Sequence, residues 1–285
     1  MPRKKLSQMS YEEREAHYKS LIKEFTIFDD VFMKVVLDDE ECIEYILKII
    51  LAKQDLKVIH KDVQASHVNL CRRSIIMDCL AVDDTGKKYD IEIQRDSRGA
   101  GARRARYHSS LLDAKSLMVG DDFDSLPECY VIFITEDDVI GDGEPIYHME
   151  RCARETGKSF DDGSHIIYVD SSKQDDTELG KLMQDLHCKN PNEFHSDILG
   201  QRVRELKETQ EGVKDMCQAL QELIDYNSSD WFKEGERKGI ARGKAEGMMT
   251  MAQNLYRKGN DIDFIASVAE VPTSVVQEWV GAPTA

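Results

Sequence analysis

Apolar residues near the start of the chain recur at helical spacing. Ile43, Ile46, Leu47, Ile50 and Leu51 stand at i, i+3, i+4, i+7 and i+8, the stripe of a helix packed on a core, and a helix is predicted over Phe28–Lys53. Leu56–Val68 follows as a ragged strand. Two clearer strands, Ser74–Val82 and Lys88–Gln94, flank the turn-rich stretch Asp83-Asp84-Thr85-Gly86-Lys87. A glycine loop, Arg98-Gly99-Ala100-Gly101, opens a helix of about Arg103–Val119 whose inward stripe is predicted as Tyr107, Leu111, Ala114 and Met118. The near-continuous apolar run of Glu128–Thr135 reads as a buried strand. After a long loop rich in Asp and Gly, His165–Asp170 is a further strand, and helices follow over Asp176–Cys188 and Pro191–Tyr226. This order predicts a mixed α/β domain over residues 1–226.

The remainder has another texture. Asn227-Ser228-Ser229 reads as a linker, and Gly235, Gly239, Gly243 and Gly247 recur every four residues. Each costs a helix about 1 kcal/mol relative to Ala, so residues 227–247 are expected to be a weak linker helix or one with a close neighbour. Met248–Val280 suggests three short helices, with Gly259 as a C-cap and Ser274 with Gln277 as a capping box, in a helix-turn-helix-like tail over 248–285. The last of these helices has no Lys or Arg, which favours protein contact or self-association over base reading.

Charge complicates the choice of partner. The net charge of −16 opposes binding to a phosphate backbone, yet Arg95, Arg98, Arg103, Arg104 and Arg106 cluster within residues 95–107 while Ser116–Glu150 holds acids and no Lys or Arg. The seven cysteines never stand at CxxC spacing, which speaks against a zinc cluster, and the histidines, His108 among them, do not assemble at ligand spacing. No apolar run reaches the ~18 residues of a membrane helix, and Met1–Gln8 is basic and polar with no apolar stretch behind it, so a cytoplasmic protein is expected. No phosphate-binding glycine loop or serine elbow is present, and no small-molecule cofactor is expected.

The chemistry concentrates in two strands. Asp78 lies in the apolar run Ile75–Val82, where a lone carboxylate is costly to bury. In Asp90-Ile91-Glu92-Ile93-Gln94 the alternation puts Asp90, Glu92 and Gln94 on one face. A three-residue loop at Asp84-Thr85-Gly86 makes paired residue numbers sum to 170 and sets Asp78 opposite Glu92, with Cβ atoms ~5 Å apart. Like charges so placed destabilise a sheet unless a cation joins them, and two carboxylates with the Ile93 carbonyl suit Mg2+ or Mn2+. The alternative is a solvated face for Asp90, Glu92 and Gln94, with Asp78 paired to a nearby arginine.

An Asp-bearing strand, a short Gly turn and then Ile-Glu-Ile-Gln resemble the PD-(D/E)XK nuclease superfamily, and most closely its Rpn-type recombination-promoting nucleases, also labelled transposases, in which Gln replaces the usual motif lysine. Asp30-Val31-Phe32-Met33-Lys34 resembles that family's opening Asp-x-x-Phe-Lys, and Arg104-Ala105-Arg106-Tyr107 the Arg and Tyr that begin its next helix. The resemblance spans about Phe25–Tyr226 and implies a helix, three strands, helix, strand core with a mixed sheet, extended here by C-terminal helices. It further implies Mg2+- or Mn2+-dependent endonucleolytic hydrolysis of DNA in recombination or mobile-element biology. Asp78 and Glu92 would be the metal carboxylates and Gln94 the residue that orients the attacking water.

An amide brings no positive charge to the phosphate. Either a second metal or a cation from another element could supply one, Arg104 being the first candidate and Lys34 a weaker one; Tyr107 is a weak candidate for the site, and Arg95, Arg98, Arg103, Arg104 and Arg106 are candidates for gripping the DNA backbone. A competing expectation keeps the fold without the chemistry, as a catalytically silent DNA-associated or assembly module.

Overall fold

A computed structural model of the chain describes residues 9–67, 75–95, 97–228 and 247–281. The chain divides into two compact units, Met1–Leu220 and Gln221–Ala285.

In the first unit, helix α1 (Tyr11–Glu24) starts from a capping box in which Ser10 and Glu13 satisfy each other's backbone N–H groups. The single helix expected over Phe28–Lys53 is instead two, α2 (Asp30–Val36) and α3 (Glu40–Ile50). The break has a local cause: the Asp39 carboxylate accepts from the Glu41 N–H at 2.9 Å and restarts the helix as an N-cap. Ile43, Ile46, Leu47 and Ile50 are buried as their spacing predicts, while Leu51 caps the helix and is half-buried.

Six strands form one mixed sheet: β1 (Val58–His67), β2 (Ile75–Asp83), β3 (Lys88–Gln94), β4 (Cys129–Thr135), β5 (Ile146–Met149) and β6 (Ser164–Asp170). Their order is β1-β2-β3-β4-β6-β5. The first three are antiparallel neighbours, β3, β4 and β6 run parallel, and β5 is an antiparallel edge. Strand β5 was not expected. It lies in the Asp- and Gly-rich stretch read as loop, and its four residues are too few to show an alternation.

The β2–β3 turn matches its sequence chemistry. Gly86 adopts φ +86°, its N–H donates to the Asp83 carbonyl, and the Asp83 N–H donates to the Lys87 carbonyl. The Asp83 carboxylate ties the turn by accepting from both N–H and Oγ1 of Thr85 and from the Lys87 N–H. Cys79 then pairs with Ile91, Leu80 with Asp90, Ala81 with Tyr89 and Val82 with Lys88, each pair summing to 170.

Helix α4 (Ala102–Ala114) carries the chain from β3 to the parallel β4 and covers one sheet face. The predicted inner stripe is corrected there. Leu111 is buried and Tyr107 half-buried, but Ala114 is exposed and Met118 lies beyond the helix, 79 % exposed. The buried positions are Ala105, His108, Ser109, Leu111 and Leu112: Ala105, Leu111 and Leu112 join the apolar core on this sheet face, Ser109 meets Ser164 and His108 meets Asp90. Helices α5 (Glu178–His187), α6 (Asp197–Glu208) and α7 (Gln210–Ser228) follow, with α5 and α6 packed against α3.

In the second unit, residues 247–257 are helical (α8), followed by α9 (Ile262–Ala269) and α10 (Thr273–Val280) around a small core of Ala252, Ile265, Ala266 and Val276. Gly259, at φ +89°, ends α8. The capping box expected at Ser274 and Gln277 does not form, since Pro272 is the N-cap and has no side-chain acceptor to offer. Gly235, Gly239 and Gly243 lie outside the described residues. No described helix is long and apolar enough to cross a membrane.

Candidate active site

The β2–β3 ladder stops at Cys79↔Ile91, and beyond it carboxylates take over from main-chain acceptors. The Asp78 N–H donates to Glu92 Oε1 at 3.0 Å, and the Ile93 N–H donates to Asp78 Oδ2 at 3.3 Å. Gln94 Nε2 stands 3.4 Å from both Asp78 Oδ2 and Glu92 Oε2. The three residues singled out in sequence are therefore within hydrogen-bond range of one another.

The solvated strand face does not occur. Asp90 and Glu92 are 0 % exposed beneath α4, and Asp78 is half-buried. Burial is the main reason that the Asp78 carboxyl is pushed up to about 6 and the Glu92 carboxyl to about 8, with the neighbouring carboxylates adding repulsion. Asp90 is raised well above the usual carboxylate range for the same reasons. Asp30, at the start of α2, is among the charges acting on Asp78, which places the opening Asp-x-x-Phe-Lys stretch beside the site.

Two participants escaped the sequence reading. His108 Nδ1 lies 2.7 Å from Asp90 Oδ2, and both side chains are completely buried. Ligand atoms of Asp90, Glu92 and His108 all lie within 4.8 Å of one another, a grouping able to hold a metal ion. Asp90 Oδ1 is buried with no hydrogen-bond partner among the described residues. A clue was available in both cases: Asp90 shares the strand face of Glu92, and His108 follows Arg104 by one helical turn.

The arginines separate on inspection. Arg104 donates from Nη2 to Glu92 Oε2 at 2.8 Å, from Nη1 to the Gly99 carbonyl at 2.9 Å and from Nε to His108 Nε2 at 3.2 Å. Arg95 turns away to Asp29, the Phe28 carbonyl and Thr26 Oγ1, and so ties the end of β3 to the entry of α2. Arg103 and Arg106 are exposed on α4, Lys34 is exposed on α2, and the Arg98 side chain lies outside the described residues. Gly99 matters for space, because a Cβ there would come within 2.5 Å of Gln94 Oε1.

Residues 27–229 match the model of the PD-(D/E)XK nuclease family transposases. The chain belongs to that family. The match takes in the six-stranded sheet, α4 and the whole acidic site, and the fold is consistent with a PD-(D/E)XK core carrying C-terminal helices. Membership makes it a nuclease- or transposase-related protein of a class that generally uses divalent metals, with DNA as the implied substrate. No curated protein and no solved structure matches the chain.

Proposed function

We propose that this PD-(D/E)XK family member is a divalent-metal-dependent endonuclease that hydrolyses DNA phosphodiester bonds in recombination or mobile-element biology. The observation that carries this is the convergence of Asp78, Glu92 and Gln94 at the point where β2 and β3 part, inside a cluster of buried carboxyl groups.

The donor set fits a hard divalent cation. Carboxylates this crowded and this buried are held above their usual pKa, and Asp90 Oδ1 has no partner to offset its burial. A cation would relieve the repulsion among these carboxylates. Asp78, Glu92 and the Ile93 carbonyl would hold it, since a carboxylate oxygen that accepts one N–H keeps a further lone pair, whereas both ring nitrogens of His108 are already engaged. Oxygen donors favour Mg2+ or Mn2+. When bound, such an ion polarises the phosphate and lowers the pKa of an attacking water.

The remaining work falls to the chain. The Gln94 amide nitrogen is turned to the two carboxylates, which leaves its carbonyl oxygen to accept a hydrogen bond from the water and orient it. Arg103 and Arg106, exposed on the same helix, are available to a phosphate backbone without reading bases.

Nicking of supercoiled plasmid with Mg2+ or Mn2+, comparing the wild type with Asp78→Ala, tests the reading. The wild type should cut and the variant should not. Cleavage that survives the substitution removes the mechanism, and a wild type that binds DNA without cutting it supports the silent-module alternative.

A further inference from the structure

We propose that Asp90 and His108 are positioning residues that hold the Arg104 guanidinium against Glu92, where it supplies the positive charge that the amide of Gln94 cannot. This rests on the nuclease reading above, and it adds to that reading a chain of bonds with a defined direction.

The direction follows from donor chemistry. An arginine Nε–H only donates, so His108 Nε2, 3.2 Å away, must accept and carries no proton. The ring's proton then sits on Nδ1 and is donated to Asp90 Oδ2 at 2.7 Å. Asp90 thereby selects the tautomer of His108, and His108 selects the orientation of Arg104. The Gly99 carbonyl takes Nη1 at 2.9 Å, which leaves Nη2 aimed at Glu92 Oε2 at 2.8 Å. The guanidinium also lies over the Phe133 ring, 6.0 Å from its centroid.

Geometry separates this arrangement from an ordinary core histidine. Asp90 and His108 are wholly buried, whereas the Arg104 side chain is 39 % exposed, so the chain leads from the core to an accessible charge beside the carboxylates. Gly99 serves the same end, since its missing side chain leaves the space in which Gln94 Oε1 and Arg104 Nη1 lie. The charge that Gln94 does not bring to the motif strand would here arrive from the following helix.

The test combines steady-state plasmid nicking at saturating Mg2+ with imidazole 15N NMR of the metal-free protein. His108→Leu should lower kcat by about 10- to 100-fold, the size usual for outer-shell partners, with KM changed less than about 3-fold. His108→Gln keeps an acceptor for Arg104 and a donor for Asp90 and should recover most of the loss. The double variant Arg104→Ala/His108→Leu should be no slower than Arg104→Ala, because His108 acts through Arg104. Additive losses in the double variant, or a folded His108→Gln as slow as His108→Leu, would overturn the proposal.

The NMR spectrum should show His108 protonated at Nδ1 and bare at Nε2, and the opposite tautomer would overturn the proposal even in an active enzyme. Should His108→Leu not fold, this measurement decides by itself. A wild type with the expected tautomer but no cleavage identifies the nuclease reading as the part that failed, and the charge-supplying role falls with it.

Discussion

Replacing Glu92 by Gln removes one negative charge from a site where burial and two neighbouring carboxylates oppose it. The glutamate carboxyl is displaced from 4.5 to about 8 in the folded chain. Between those values the native state binds a proton that the unfolded state has released, so stability is full below pH 4.5 and falls as pH rises toward 8. At about 1.36 kcal/mol per pH unit, the whole interval corresponds to ~5 kcal/mol at most. Glutamine keeps only one of the two acceptor oxygens, so it can serve either the Asp78 N–H, which uses Oε1, or Gln94 and Arg104, which use Oε2; the stranded donor costs ~1–3 kcal/mol, and a net gain of ~2–4 kcal/mol at pH 8 is expected for the metal-free variant. For a chain of this size that is ~5–15 °C in Tm.

Differential scanning calorimetry from pH 5 to 8 reads this directly. Wild-type Tm should fall across the range, while the Glu92→Gln trace should run flatter. With Mg2+ at about 100 times its Kd the wild type should regain ~2.7 kcal/mol, and the variant should gain nothing. A wild-type Tm that does not fall between pH 5 and 8, or a variant that Mg2+ stabilises as much as the wild type, would refute the reasoning.

Gly99→Ala should leave stability within about 1 kcal/mol, because the clash is with the mobile end of Gln94, yet it should slow plasmid nicking by displacing that amide; an unchanged rate would show that the position of Gln94 is immaterial. Lys207 is buried and donates to the carbonyls of Lys23, Phe25 and Lys189. Lys207→Met strands all three and should cost ~3 kcal/mol by urea denaturation, against no shift if those carbonyls are otherwise satisfied. Asp39→Ala removes the N-cap of α3 and should cost ~1 kcal/mol in the same assay. Arg95→Ala should affect melting more than DNA affinity, since its guanidinium is committed to Asp29, Phe28 and Thr26, whereas Arg103→Ala should weaken DNA binding and reduce its salt dependence without moving Tm. Fluorescence anisotropy at several salt concentrations separates the two.

What the sequence determined by itself is local. The Asp84-Thr85-Gly86 loop, through one left-handed glycine, set the strand register that brings Glu92 alongside Asp78. The stripe of α3 marked its buried face through the 3.6-residue period, and the unbroken apolar run of β4 marked a strand buried on both faces. Tertiary structure decided the rest. Whether Asp90 and Glu92 faced water depended on α4 crossing back over the sheet, and so did the identity of the residue that meets Asp90, eighteen positions away in His108. The parting of β2 and β3 at Asp78, which lets side chains replace ladder bonds, likewise left no trace in the alternation. Spacing along a strand or helix encodes which side a residue faces, but the partner on that side arrives by packing, and packing is chosen by the whole chain.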